Sequence, residues 1–150
     1  MEKALAFLKE HTNVALATVE NDSPKIRVFQ IMKQEGTVFY FATNPKKEIY
    51  SQLQQNRHVE FLIMDGNISV RVAGEASLQV ADDVAQEIYR NNPVLHRFHD
   101  TYRTIAYFSI AAQKVDYYDL GTSPVTFESC PLSWMKKRKR WFLPTRHPSD

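Results

Sequence analysis

Two strand-like segments, Lys25–Met32 (KIRVFQIM) and Thr37–Ala42 (TVFYFA), are separated only by the few residues around Gln34–Gly36. A link that short cannot carry a parallel crossover, which needs a dozen residues or more, so Gln34–Gly36 reads as a hairpin. The arrangement recurs along the chain. Val14–Val19 (VALATV) reaches Lys25 through Glu20–Pro24 (ENDSP), where every residue suits a turn. Val59–Met64 reaches the long segment Ile68–Val80, broken by Gly74, through Asp65–Asn67 (DGN). Ile105–Ala111 and Lys114–Leu120 read as two final strands. About seven strands joined mostly by turns imply a mainly antiparallel sheet, and closing such a sheet into a barrel removes its edges.

Helical signals lie between these strands. Ala4, Leu5 and Leu8 form one stripe over residues 3–10. Asn44 suits an N-cap and Pro45 the first helical position of a helix with Ile49 and Leu53 on its apolar stripe, ending at Asn56. Asp82–Asn91 reads as a helix with Asp83 and Gln86 at capping-box spacing. Pro93–Tyr102 reads as helical or irregular.

A chain of 150 residues suits one globular domain. Apolar runs such as Phe61–Met64 are too short to cross a membrane as a helix, and Glu2, Lys3, Lys9 and Glu10 interrupt any signal-peptide centre. Cys130, the single cysteine, excludes an internal disulfide. These features lead us to expect a cytoplasmic protein. The net charge of +2 is uneven: residues 134–150 hold six Lys/Arg against one Asp, whereas residues 1–133 hold 13 basic and 16 acidic residues. A nucleic-acid binder spreads its positive charge over a folded surface, so neither nucleic acid nor membrane is expected as a partner. The division expected is a domain over residues 1–122 and a C-terminal extension, 123–150, whose basic tail reads as solvated. If ordered, its Trp134, Trp141 and Phe142 would cover a second copy of the chain.

Two features point to an anion. In the first, Asn44-Pro45-Lys46-Lys47, a helix N-terminus already carries partial positive charge, so lysines in its first turn are unfavourable by a few tenths of a kcal/mol each. A phosphate there reverses the sign, receiving backbone N–H groups, Lys46, Lys47 and the Thr43 hydroxyl. The alternative is two solvated lysines. In the second, Arg27 alternates onto the face of Phe29 and Ile31, opposite Ile26, Val28 and Gln30. An inward guanidinium needs a partner: a carboxylate such as Glu60 or Glu75, or a ligand phosphate. His96 and His99 are three residues apart but lack a third ligand at suitable spacing, so no metal site is expected. No nucleophile–base arrangement is apparent, and no catalytic side chain is assigned.

The succession PKIRVFQIM, TVFYFATNPKKEIYSQLQQNRHVEFLI and ISVRVAGEASL resembles the pyridoxamine 5′-phosphate oxidase-like flavin-binding split barrels, above all their short general flavoprotein members, over roughly residues 1–120. The resemblance implies a mainly β, α+β fold: an antiparallel six- to seven-stranded split β-barrel with flanking helices. It further implies a homodimer with FMN at the subunit interface, exchanging electrons with a small-molecule donor and acceptor. Arg27 and Lys47 would reach the FMN phosphate, with Lys46 and Thr43 assisting. The backbone at Val28, Phe29 and Gln30 would run beside the flavin ring, Phe41 would contact the ribityl chain or ring, and Ser69 would reach the flavin from the other subunit. Gly74 matches a glycine in that same strand. Two departures stand out: Met32 replaces the lysine that holds the oxidase's substrate phosphate, and Tyr118 replaces a tryptophan, with no matching arginine after it. The substrate expected is therefore not pyridoxine 5′-phosphate. A non-catalytic flavin carrier, or a split-barrel binder of haem or deazaflavin, is the alternative, because one fold hosts several functions.

Overall fold

A computed structural model of the chain describes residues 1–132. The tail, with Trp134, Trp141 and Phe142, lies outside the described residues. Along the chain run α1 (Glu2–Glu10), β1 (Asn13–Glu20), β2 (Ser23–Gln30), β3 (Lys33–Glu35), β4 (Val38–Thr43), α2 (Glu48–Gln55), β5 (His58–Asp65) and β6 (Ile68–Ser77). Then come α3 (Asp82–Asn91), 3-10 turns at Pro93–Arg97 and Tyr102–Thr104, β7 (Ala106–Asp119) and β8 (Thr126–Pro131). The fold is an antiparallel split barrel of α+β class. Its strands run in the order β2-β1-β5-β6-β7-β4-β3, and β8 pairs with β7. The outermost strands on that path, β2 and β3, follow one another in sequence across Ile31 and Met32, which draws the two edges of the sheet together.

Local chemistry sets the turns. Asn21 and Asp22 join β1 to β2 with φ of 48° and 64°, the left-handed conformation that short polar side chains tolerate and that matches hairpin twist. The β6–β7 register slips between Ala73 and Gly74, so that Gly74 pairs with Ala112 and Ala73 with Lys114. Gln113 is the extra residue of a bulge. A Cβ on Gly74 would collide with the carbonyl oxygen of Ala111, so glycine there allows the close approach of two backbones. This bulge corrects one expectation: the two final strands are a single 14-residue strand, β7, which bends at Gln113 and does not end there.

Alternation along the strands builds the core. Val14, Leu16 and Thr18 of β1 point inward, beside Phe39 and Phe41 of β4 and Phe61 of β5. The rings meet edge to face or stacked: Phe39 and Phe61 have centroids 5.1 Å apart, Phe41 and Phe108 5.2 Å. A second, smaller core joins α3 to the outside of the barrel through Ala85, Ile88, Leu95, Ile105 and Tyr107.

Other expectations are also corrected. The helix expected from Pro45 begins at Glu48, and Asn44–Lys47 forms a turn ahead of it. The Asn44 side chain accepts the Lys46 N–H at 2.9 Å, so the asparagine caps its own turn. The cap position of α3 is Ala81, without a side-chain cap, and Gln86 donates to Asp82, not Asp83. β3 takes up residues read as the link after Met32, so the hairpin there joins β3 to β4 and β2 does not pair with β4. β8 arises within the segment read as an extension, and with the last two expected strands merged, β3 and β8 bring the strands among the described residues to eight. No helix among the described residues is long and apolar enough to cross a membrane.

Candidate functional site

β2, the end of β4 and the turn before α2 enclose a cavity of about 770 Å³. Seven of the nine expected cofactor residues line it: Arg27, Val28, Phe29 and Gln30 from β2, Thr43 from β4, and Lys46 and Lys47 from the turn. Their convergence follows from the topology. β2 is the edge strand and leaves this side open, while β4 delivers its C-terminal end and the following turn to the same place.

Arg27 anchors the site. Its side chain turns inward, where Nη1 donates to Thr18 Oγ1 at 2.7 Å and Nη2 to Gln52 Oε1 at 2.6 Å. Thr18 and Gln52 are both buried at 1% exposure, and the Thr18 hydroxyl also donates to Gln52 Oε1 at 2.6 Å. Gln52 in turn donates to Glu20 at 3.0 Å. Neutral acceptors therefore orient the guanidinium, and no ion pair among the described residues involves it, so pairing with Glu60 or Glu75 is absent there. Burial lowers its pKa, against the charge of Glu48, which raises it. A half-buried, uncompensated arginine that remains protonated favours an anion beside it.

Three further features act in the same direction. Lys46 and Lys47 are exposed and enter no ion pair among the described residues. The first N–H groups of α2 have no side-chain cap. Thr43 is 7% exposed, yet its buried hydroxyl has no hydrogen-bond partner. Such an orphan is uncommon in a folded protein and fits a ligand oxygen close by. Glu48 is the one carboxylate on the cavity wall, against three cations.

The remaining two expected residues lie elsewhere. Phe41 is fully buried and stacked on Phe108, so its side chain is core and faces away from the cavity. Ser69 sits on β6, in register with Met64 and Tyr118, outside this cavity. Its surroundings are open and mixed: Met64 is 73% exposed, Tyr118 packs against the exposed Phe127 at 5.4 Å, and the Arg71–Asp116 pair lies two residues along the same face. Ile26, Val28 and Leu62 continue this outer face, with Ala15 paired between Val28 and Leu62.

Sequence reasoning missed Gln52, Thr18 and Phe98. Gln52 interrupts the apolar stripe of α2, and Thr18 occupies an inward position of β1; a polar residue at a core position was the available signal for both. Phe98, 76% exposed, lines the cavity from the segment after α3 and also lines an adjoining cavity of about 330 Å³ with His99. No periodicity marks it. Two other cations are already engaged: Lys33 binds Glu87 at 2.7 Å, and Arg71 binds Asp116 at 2.8 Å. His96 contacts the Tyr89 carbonyl and His99 contacts Thr104.

Comparison with known proteins gives the family and the fold. The family model described as pyridoxamine 5′-phosphate oxidase matches residues 1–118. No curated protein sequence matches. Among solved structures, a NimC/NimA family protein from Clostridium acetobutylicum is 25% identical, with a TM-score of 0.69 over 87% of this chain and 92% of that one. General stress protein 26 from Bacillus anthracis is 18% identical, with a TM-score of 0.73 over 87% and 98%. An FAD-binding protein from Mesorhizobium loti is 16% identical, with a TM-score of 0.62 over 77% and 91%. The last two likenesses are of fold.

Proposed function

This chain belongs to the pyridoxamine 5′-phosphate oxidase family, and we propose that it is an FMN-dependent oxidoreductase acting as a homodimer on a small, weakly charged substrate. One observation carries the reading: Arg27 is held by neutral acceptors beside a cavity that also presents Lys46, Lys47, the open end of α2 and the unpartnered Thr43 hydroxyl. Together these residues suit a phosphate monoester. Arg27 and Lys47 take its charge, Lys46 adds to the field, and Thr43 donates its hydroxyl. The FAD-binding relative of the same fold supports a flavin as the group that bears this phosphate.

Bound FMN would supply hydride and electron transfer, so no side chain need act as acid or base. The protein's part is to bind and orient. The β2 backbone at Val28–Gln30 gives a straight edge of donors and acceptors for the ring's polar rim. Met32 and Phe98 offer apolar surface along the cavity wall. The exposed apolar face around Met64 supplies a surface for the second subunit, which would carry Ser69 to the flavin.

The test is the absorbance spectrum of the purified protein and the mass of any released ligand. Flavin bands with an FMN mass support the reading. A Soret band or a deazaflavin mass overturns the cofactor. Stopped-flow reduction by NADH or NADPH, followed by reoxidation with candidate acceptors, separates an enzyme from a flavin carrier.

A further inference from the structure

A second cavity, of about 580 Å³, lies on the other side of the Asn44–Lys47 turn. Pro45 forms part of its wall, whereas Lys46 and Lys47 face the first cavity. It opens between α3, the Tyr102–Thr104 turn and the start of β7. Leu78, Val80 and Ile105 give it apolar walls, and Tyr50, Tyr102 and Tyr107 give it aromatic ones. That size and lining suit a small planar molecule.

Its polar groups are biased toward donation. Asp82, the acidic residue of the wall, already accepts the Tyr102 hydroxyl at 3.0 Å and Gln86 Nε2 at 2.7 Å. Arg103 is exposed, lies 5.7 Å over the Tyr102 ring and donates a long bond of 3.4 Å to its hydroxyl. It enters no ion pair among the described residues. Tyr107 is 8% exposed, and its buried hydroxyl has no hydrogen-bond partner. Burial, with Tyr89 and Tyr102 nearby, pushes its pKa up to about 12, so the group stays protonated and able to donate. A buried donor left unused costs stability, and an acceptor brought by a ligand recovers it.

We propose that this cavity is a second binding site, separate from the flavin cavity, for a planar aromatic carboxylate. The ring lies against the tyrosines and Ile105. The carboxylate takes the Tyr107 hydroxyl proton as a hydrogen bond and the Arg103 guanidinium as counter-ion. The site needs no flavin, so its occupancy is measured with and without FMN.

The probe is 2-naphthoate, titrated calorimetrically into the full-length chain. We expect saturable binding with a dissociation constant below about 1 mM, unchanged within about twofold by saturating FMN. Tyr107→Phe keeps the ring and removes the donor, and Arg103→Gln removes the charge at an exposed position; each weakens binding by about tenfold. Circular dichroism checks the fold of both variants, and if Tyr107→Phe fails to fold, Arg103→Gln decides alone. Absence of saturation at 5–10 times that concentration, undiminished affinity in a folded variant, or competition by FMN overturns the proposal.

Discussion

Arg27 of β2 and Gln52 of α2 meet at 2.6 Å, with Gln52 sealed in the barrel wall and Arg27 at the edge of the cavity. The glutamine is a positioning residue. One carbonyl oxygen receives both Thr18 and Arg27, which fixes where the guanidinium points. Replacing Gln52 by Leu keeps most of the volume and leaves Arg27 without this acceptor. We expect a loss of about 1–3 kcal/mol in urea unfolding and weaker FMN binding, because Arg27 is no longer held. Unchanged stability together with unchanged FMN affinity would show that the contact does not orient the arginine.

Lys47 tests where the phosphate lies. Lys47→Glu puts an anion where the proposed site needs a cation, while contacts to the flavin ring remain. FMN affinity should fall by about 2–3 kcal/mol, some 30- to 150-fold, and riboflavin affinity should change little. Fluorescence titration of the two flavins reads the difference. Equal weakening of both would move the phosphate away from this turn.

Alternation in KIRVFQIM placed Arg27 inward with Phe29, and the turn residues at Asn21–Asp22 and Asp65–Asn67 marked two of the hairpins. The Asn44-Pro45 pair misled. It carries the residue preferences of a helix start, yet the Asn44 side chain binds the N–H two residues on and makes a turn instead. The partners of Arg27 were out of reach because they lie 9 and 25 residues away and meet only once the barrel closes. β8 gave little signal because most of its residues are exposed and its side chains follow no clean alternation. Phe98 follows a 3-10 turn, where no period exists to read.

The open apolar face predicts self-association. Ile26, Val28 and Met64 are each more than 70% exposed, on strands whose register sets them beside Ala15, Ala17 and Ser69. A patch of this kind on a small chain suits an obligate interface, on the order of 2,000 Å² in total. Sedimentation at micromolar concentration should give a dimer. Met64→Asp, which buries a charge in that interface, should give a monomer with weakened flavin binding. A wild-type monomer that still holds FMN would sink the dimer.

Asp116 sets a pH limit on stability. Burial alone would raise its pKa, but Ser129, the Arg71 hydrogen bond and the charges of Lys114 and Arg71 outweigh it, and the pKa lies below the ordinary carboxylate value. Its contribution is therefore complete above the unfolded value near 4 and is lost as pH falls through the lower folded value. As pH falls below about 4 the wild type should lose stability more steeply than Asp116→Asn, which has no carboxylate to protonate. Urea midpoints measured across that range check this, and parallel slopes in the two proteins would refute it.

Substrate choice follows from Met32 and from the cations that are already occupied. Met32 lines the Arg27 cavity with a neutral thioether, its N–H bound to the Tyr40 carbonyl at 2.8 Å. Its neighbour Lys33 is turned to Glu87 on α3, and Arg71 is paired with Asp116 on the outer face of the sheet. Neither is free to take over a substrate phosphate. Loss of one charge-assisted contact costs about 1.5–3 kcal/mol, or roughly ten- to a hundredfold in affinity. Protein reconstituted with FMN should therefore release negligible pyridoxal 5′-phosphate from pyridoxine 5′-phosphate, while a nicotinamide or chemical donor still reduces the flavin. Met32→Lys should increase affinity for a phosphorylated ligand at this position by about tenfold. Turnover of pyridoxine 5′-phosphate by the wild type at about 1 s⁻¹ or faster would overturn the substrate reading and leave the flavin reading intact.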